Sequence, residues 1–224
     1  MYNMRSNMAR KTKSEAEVTR ARILASALAL FVKNGYERTT FNDIAARLSM
    51  TKGAVYWHFA SKEKLMVAIV DELLERFARD LEARIPRDEL TFRGVSEAMV
   101  ENAVRIATSA RERSCYLFMK TRVKWGGASM KGVREEIIAH RRFGPIHAYE
   151  SAISNDIRSG LVRPDVDAFE TAMMCQAIWD GLVQSHIDKF LGRDLATVLR
   201  NAFAAVWNSI STKKKESQDG SKEQ

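Results

Sequence analysis

Two short helical patterns separated by three residues, within Thr39 to Lys64 (TTFNDIAARLSMTKGAVYWHFASKEK), constrain this chain more than any other feature. Phe41, Ile44, Ala45 and Leu48 recur at i, i+3, i+4 and i+7, so they share one face of a helix. Thr40 precedes that face and Asp43 follows three residues later, an acidic form of the capping box. Ser49-Met50-Thr51 then breaks the pattern, and Thr51 can cap a second helix running to about Phe59. In that helix Val55 and Phe59 point one way, leaving Lys52, Gly53, Ala54, Tyr56 and His58 largely on the other faces. Tyr56 and His58 are two residues apart and cannot share a face. A short buried helix, a tight turn and a helix with a polar, small-residue start form the plan of a helix-turn-helix, whose second helix enters the DNA major groove.

The charge is placed to match. The net charge is +8, and Met1 to Lys64 hold 12 Lys and Arg against 5 Asp and Glu, so most of the excess sits around this motif. A basic segment joined to a near-neutral remainder is the electrostatic footprint of a nucleic-acid partner. With 224 residues, 46% of them hydrophobic, 3 Pro and few β-branched alternations, the chain has room for a large core and reads as all-α. The longest apolar run, Ile23 to Val32, is too short to cross a bilayer and no signal peptide precedes it, so no membrane partner and a cytoplasmic location are expected. Cys115 and Cys175 lack metal-type spacing and are expected as reduced thiols, with a redox-sensing pair as the alternative.

Along the chain, residues 1–13 are expected as a disordered basic arm, with Met1, Met4 and Met8 as alternative starts. Residues 14–60 form a three-helix head, in which Ser14 and Glu17 make a capping box and Gly35 ends the first helix. Residues 61–210 form a helical body. Its first helix, Ser61 to Ile85, begins at the head and ends in the body, and so acts as a lever. Further helices are expected over 91–109, 111–125, 131–143, 145–159, 166–190 (capped by Asp165) and 195–209, and a disordered tail over 211–224. The helix over 166–190 is apolar on more than one side and needs burial on several faces, in a crowded monomer core or at a seam between two chains.

The head resembles the tetracycline-repressor (TetR) family of bacterial transcription regulators. The resemblance rests on Thr39-Thr40, Asp43-Ile44-Ala45, Gly53 through Phe59 (GAVYWHF) and Ser61-Lys62, and spans roughly Ser14 to Val70. It implies a homodimeric, ligand-responsive regulator, expected to be a repressor, that binds a palindromic double-stranded operator. The body would then be the effector-binding and dimerisation domain. The family motif assigns phosphate contacts to Tyr56 and Lys62, with Thr39, Thr40 and His58 beside them. Position at the start of the recognition helix, after the Thr51 cap, assigns base edges to Lys52, Gly53 and Ala54. Phe203 and Trp207, with Val206 and Ile210, are expected to carry the dimer seam together with the helix before them.

No phosphate loop, metal helix or nucleophile elbow is present, so neither an enzyme nor a cofactor or metal is expected. Polar residues set in apolar helices are the better signal, because a ligand pocket needs an apolar lining with a few polar anchors. Tyr116 and Lys120 are four apart, as are Gln176 and Asp180 beside Trp179. The second half loosely resembles the family's multidrug-efflux regulators, whose pocket is lined from the corresponding helices. That carry-over nominates Tyr116, Lys120, Gln176, Trp179, Asp180 and Val183 for an amphipathic or aromatic effector, and an efflux-pump gene as the regulated one. Asp180 paired with an arginine, or placed at the dimer seam, is the alternative. Arg105 to Arg142 carry 10 Lys and Arg against 3 Asp and Glu, either a solvated surface or a preference for anions. A ligand-blind architectural DNA-binding protein is the alternative function.

Overall fold

The structure is a computed structural model that describes residues 4–86, 89–139 and 144–212. Its helices are α1 (Met4–Asn34), α2 (Phe41–Arg47), α3 (Lys52–His58), α4 (Lys62–Glu82), α5 (Phe92–Thr108), α6 (Ala110–Leu117), α7 (Lys131–Ala139), α8 (Pro145–Arg158), α9 (Ala168–Ile187) and α10 (Leu195–Ile210). A π-helical turn, Phe118–Arg122, follows α6, and a 3-10 turn, Ala128–Met130, precedes α7. The expected all-α class is therefore what the described residues adopt; their only pairing of extended backbone is a single bridge, Val162 to Ser211. Most of the tail expected to be disordered lies outside the described residues.

Two helix starts differ from expectation. α1 begins at Met4, ahead of Ser14, because no Gly or Pro interrupts the sequence from Met4 to Asn34. α9 is capped by Asp167, whose carboxylate accepts the Glu170 N–H at 2.8 Å, and not by Asp165. Either aspartate suits a cap, and the one nearer the first apolar turn takes it.

The chain divides into two compact units: the described residues of Met1–Glu75 with Thr108–Arg141, and those of Arg76–Ala107 with Arg142–Gln224. α4 starts in the first and ends in the second. In the first unit Ile23, Ala27 and Phe31 of α1 meet Phe41, Ile44 and Ala45 of α2, Val55 of α3, Phe59, and Leu65, Met66 and Ile69 of α4. Phe118, Val123, Met130 and Val133 join the same cluster, and the rings of Phe31 and Phe118 stack at 6.0 Å. Burying such side chains stabilises by about 1.5–3 kcal/mol each. Gly35 ends α1 at φ 88°, a conformation that favours glycine, and its N–H donates to the Phe31 carbonyl at 2.9 Å.

The second unit is built from α5, α8, α9 and α10. Leu195, Leu199, Phe203, Val206 and Ile210 lie on one buried face of α10. The rings of Phe92, Tyr149, Phe203 and Trp207 form a chain of contacts 5.6–5.8 Å apart. Phe203 and Trp207 therefore pack inward on α5 and α8. This corrects their expected place at the dimer seam, with Phe203 fully buried and Trp207 half-buried. The Asp156 carboxylate, 1% exposed, accepts the Phe92 N–H at 2.8 Å and so caps the start of α5 from α8.

Candidate nucleic-acid interface

The first unit orients α3 through local bonds. Thr40 and Asp43 form the expected box: the Thr40 hydroxyl accepts the Asp43 N–H at 3.3 Å, and the Thr40 N–H donates to the Asp43 carboxylate at 2.8 Å. The Thr40 hydroxyl also donates to that carboxylate at 2.7 Å, and this bond, then the one from the Thr40 N–H, holds the Asp43 carboxyl below its ordinary value. Ser49 turns the chain at φ 54°, and the Thr51 hydroxyl accepts the Ala54 N–H at 3.2 Å to start α3. Val55 and Phe59 anchor α3 in the core, as expected.

The opposite surface of α3 carries Lys52, Gly53, Tyr56 and Trp57, all exposed, with Ala54 and His58 half-buried. The Lys52 ammonium lies 5.5 Å over the Tyr56 ring, and that ring meets Phe41 edge-on at 4.7 Å, which fixes the phenol while leaving it exposed. Burial, then the nearby Arg20, pushes His58 below the ordinary imidazole value, so it is neutral at pH 7 and donates from one nitrogen only. A Cβ added at Gly53 would meet only the Thr51 hydroxyl, at 3.9 Å. The fold therefore gives no steric reason for glycine there.

Two of the nominated residues are turned inward. Thr39 is 1% exposed, and its hydroxyl donates to the Gly35 carbonyl at 2.9 Å, so it closes the end of α1. The Lys62 ammonium donates to the carbonyls of Tyr36, Glu37 and Thr39 at 3.1, 3.2 and 3.4 Å and sits 4.4 Å over the Tyr36 ring. A lysine has three protons to donate, and here all three are engaged within the protein. Lys62 ties the α1–α2 loop to the start of α4, which corrects its expected role as a direct phosphate contact.

The nominated effector residues divide between the units. Tyr116, buried, and Lys120, exposed, belong to the first; Gln176, Trp179, Asp180 and Val183 belong to the second. Trp179 and Val183 are core residues, and the Trp179 indole N–H donates to the Met99 carbonyl at 2.8 Å. The Gln176 side-chain oxygen is buried and has no hydrogen-bond partner among the described residues. Cys175 is fully buried and its thiol is pushed up to about 12 by that burial, which keeps it protonated and unreactive. No disulfide joins it to Cys115.

Comparison with known proteins then decides the family. Residues 23–69 match the model for bacterial regulatory proteins of the tetR family. The HTH-type transcriptional regulator TtgR of Pseudomonas putida is 30% identical over 181 residues, covering 79% of this chain and 84% of that protein. The chain belongs to the TetR family. The probable acrEF/envCD operon repressor of Escherichia coli is 27% identical over 192 residues, 84% of each protein. The fold is that of SmeT of Stenotrophomonas maltophilia, solved as a triclosan complex, with a TM-score of 0.70 at 24% identity over 92% of this chain and 98% of that one.

As a TetR-family protein the chain is a DNA-binding transcriptional regulator of the helix-turn-helix type. The outward face of α3 includes one residue that sequence reasoning did not nominate. Trp57 is 74% exposed, with its ring edge-on to His58 at 4.6 Å. The signal was available: Val55 and Phe59 define the inward face, and Trp57, midway between them, must lie opposite. A tryptophan so exposed on a helix of this type is suited to apolar contact with thymine methyls or sugars.

Proposed function

We propose that this protein is a cytoplasmic repressor that binds a palindromic operator as a homodimer, controls an efflux-pump gene and is released by a bulky apolar or amphipathic molecule. The observation that carries the DNA-binding part is the outward face of α3, where Lys52, Gly53, Tyr56 and Trp57 stand clear of the core. Lys52 and Ala54 approach base edges beside Gly53, and Tyr56 with Thr40 and His58 approaches the phosphates. The efflux reading is supported by the names of relatives, among them the acrEF/envCD operon repressor, and the effector class by the triclosan complex of SmeT. Among the described residues no helix is long and apolar enough to cross a membrane.

For the dimer, the support is an open apolar groove of about 680 Å³ along α9 and α10, lined by Met174, Ile178, Gly181, Val198, Ala202 and Ala205 among others. This face is distinct from the one that buries Phe203. A second copy laid against it would make a self-complementary seam. The direct test is fluorescence anisotropy on duplexes from the promoter region next to its own gene, at several salt concentrations, with and without triclosan. The expected result is a site-specific complex whose affinity falls steeply with salt and which triclosan dissociates. Equal affinity for all duplexes, or a complex indifferent to every apolar compound tried, would return the protein to the architectural class.

A further inference from the structure

A cleft of about 370 Å³ lies between α5 and α10, and none of the six nominated effector residues lines it. Its floor is apolar and closed: Phe92, Val100 and Phe203 are 1–2% exposed. Ser96 is also buried in that floor, and its hydroxyl is 3.3 Å from the Tyr149 hydroxyl, which donates to it. One wall is Trp207, with the Arg93 guanidinium 5.7 Å over its ring and the Phe92 ring 5.6 Å away. At the rim Arg200 of α10 pairs with Glu97 of α5, with Arg200 Nε 3.0 Å from the carboxylate. The pair holds the Glu97 carboxyl below its ordinary value.

We propose that this cleft is a binding site for small flat aromatic carboxylates. The aromatic floor and the Trp207 wall offer a ring two faces on which to stack. Lining charges are two arginines against one glutamate, and that glutamate is engaged by Arg200. Arg93 is the cation left to meet a ligand carboxylate, in the fork geometry that suits one. The Ser96 hydroxyl accepts from Tyr149 and keeps its own proton to donate into the cleft. A neutral isostere loses the charged contact, and a cation meets Arg93 unfavourably. Anions are therefore preferred over shape-matched neutral and cationic compounds.

The occupied cleft would also act on the fold around it. α5 and α10 are bridged here by the Glu97–Arg200 and Arg93–Trp207 contacts, and a ring entering between them displaces Arg93 from Trp207. α10 also carries the apolar groove proposed as the dimer seam, on its other face. A ligand in the cleft thus biases the helix that sets the seam. The site itself needs neither DNA nor the dimer.

Calorimetric titration of the full-length protein with 1-naphthoate and with 1-naphthamide, without DNA, tests it. Saturable binding of the acid at one site per chain is expected, with the amide about tenfold weaker or worse, since losing a charge-assisted hydrogen bond costs that much. Arg93→Ala, a change at an exposed residue, should weaken the acid about tenfold while leaving the amide nearly unaffected. Trp207→Leu should weaken both. Asp180→Asn should change neither. No heat with the acid at millimolar concentration would overturn the site, as would equal binding of acid and amide, or sensitivity to Asp180→Asn with indifference to Arg93→Ala. Failure of operator binding would leave these titrations unaffected, so the two readings fail separately.

Discussion

Two single residues separate what touches DNA from what positions it. Lys62 commits its ammonium to three loop carbonyls, and Lys62→Met removes those bonds while keeping the stem. The expected loss of stability is about 1–2 kcal/mol, less than three full charged bonds because the site is half-solvated. Urea denaturation measures it, and the salt slope of operator binding should stay as in wild type. A slope reduced by about 1 with stability unchanged would mean that Lys62 leaves the loop for a phosphate. Gly53 gives the converse test. Its Cβ position is open, so Gly53→Ala should leave the melting temperature unchanged or raise it, alanine being better in a helix by up to about 1 kcal/mol. Operator affinity should nevertheless fall about tenfold, because the methyl intrudes where the backbone approaches the bases. An unchanged affinity in gel-shift titration would remove close approach as the reason for glycine.

Elements were legible in proportion to how local their causes are. The Thr40–Asp43 box, the Thr51 cap and the Gly35 stop each depend on residues within four positions, and the structure has all three. Periodicity identified α10 but could not say which side of it faces the chain's own core. Phe203 and Trp207 were therefore read as seam residues, when Phe92 and Tyr149, more than fifty positions away, hold them inside. Lys62 escaped for the same reason, its partners lying 23–26 residues back. The Asp156 contact with α5 is equally non-local and carries a pH signature. Burial, partly offset by the Phe92 N–H, raises its carboxyl above the ordinary value. A carboxyl raised by folding contributes stability that is fully present below its unfolded value and is lost as pH rises through the folded one. Asp156→Asn keeps an acceptor for Phe92 and cannot ionise. It should melt higher than wild type near pH 7, with the gap closing as pH falls toward about 4, in scanning calorimetry. A gap independent of pH would assign the effect to packing. Asp156→Ala should instead cost about 1–3 kcal/mol by stranding the Phe92 N–H.

At the scale of the whole molecule the open question is what covers the groove on α9 and α10. Gly181 sits there, exposed and mid-helix, with nothing within 4 Å of an added Cβ. Within one chain it gains nothing over alanine and loses helix propensity. Its neighbours along the groove are Met174, Ile178, Leu182, Val198, Ala202 and Ala205, a lining with little reason to face water. Small and apolar residues at matching places on two helices allow a second copy to approach closely. A two-headed repressor needs such a contact to fix the spacing of its recognition helices on successive turns of DNA. Gly181→Arg places bulk and charge at that point without touching the chain's own core. The variant should keep the wild-type far-ultraviolet circular dichroism and sediment as a monomer at micromolar concentration, while wild type sediments as a dimer. Its operator affinity should fall sharply, because each head then binds a half-site alone and the gain from linking the two is lost. If Gly181→Arg still sediments as a dimer and represses, the seam lies on another face, and the groove requires another occupant.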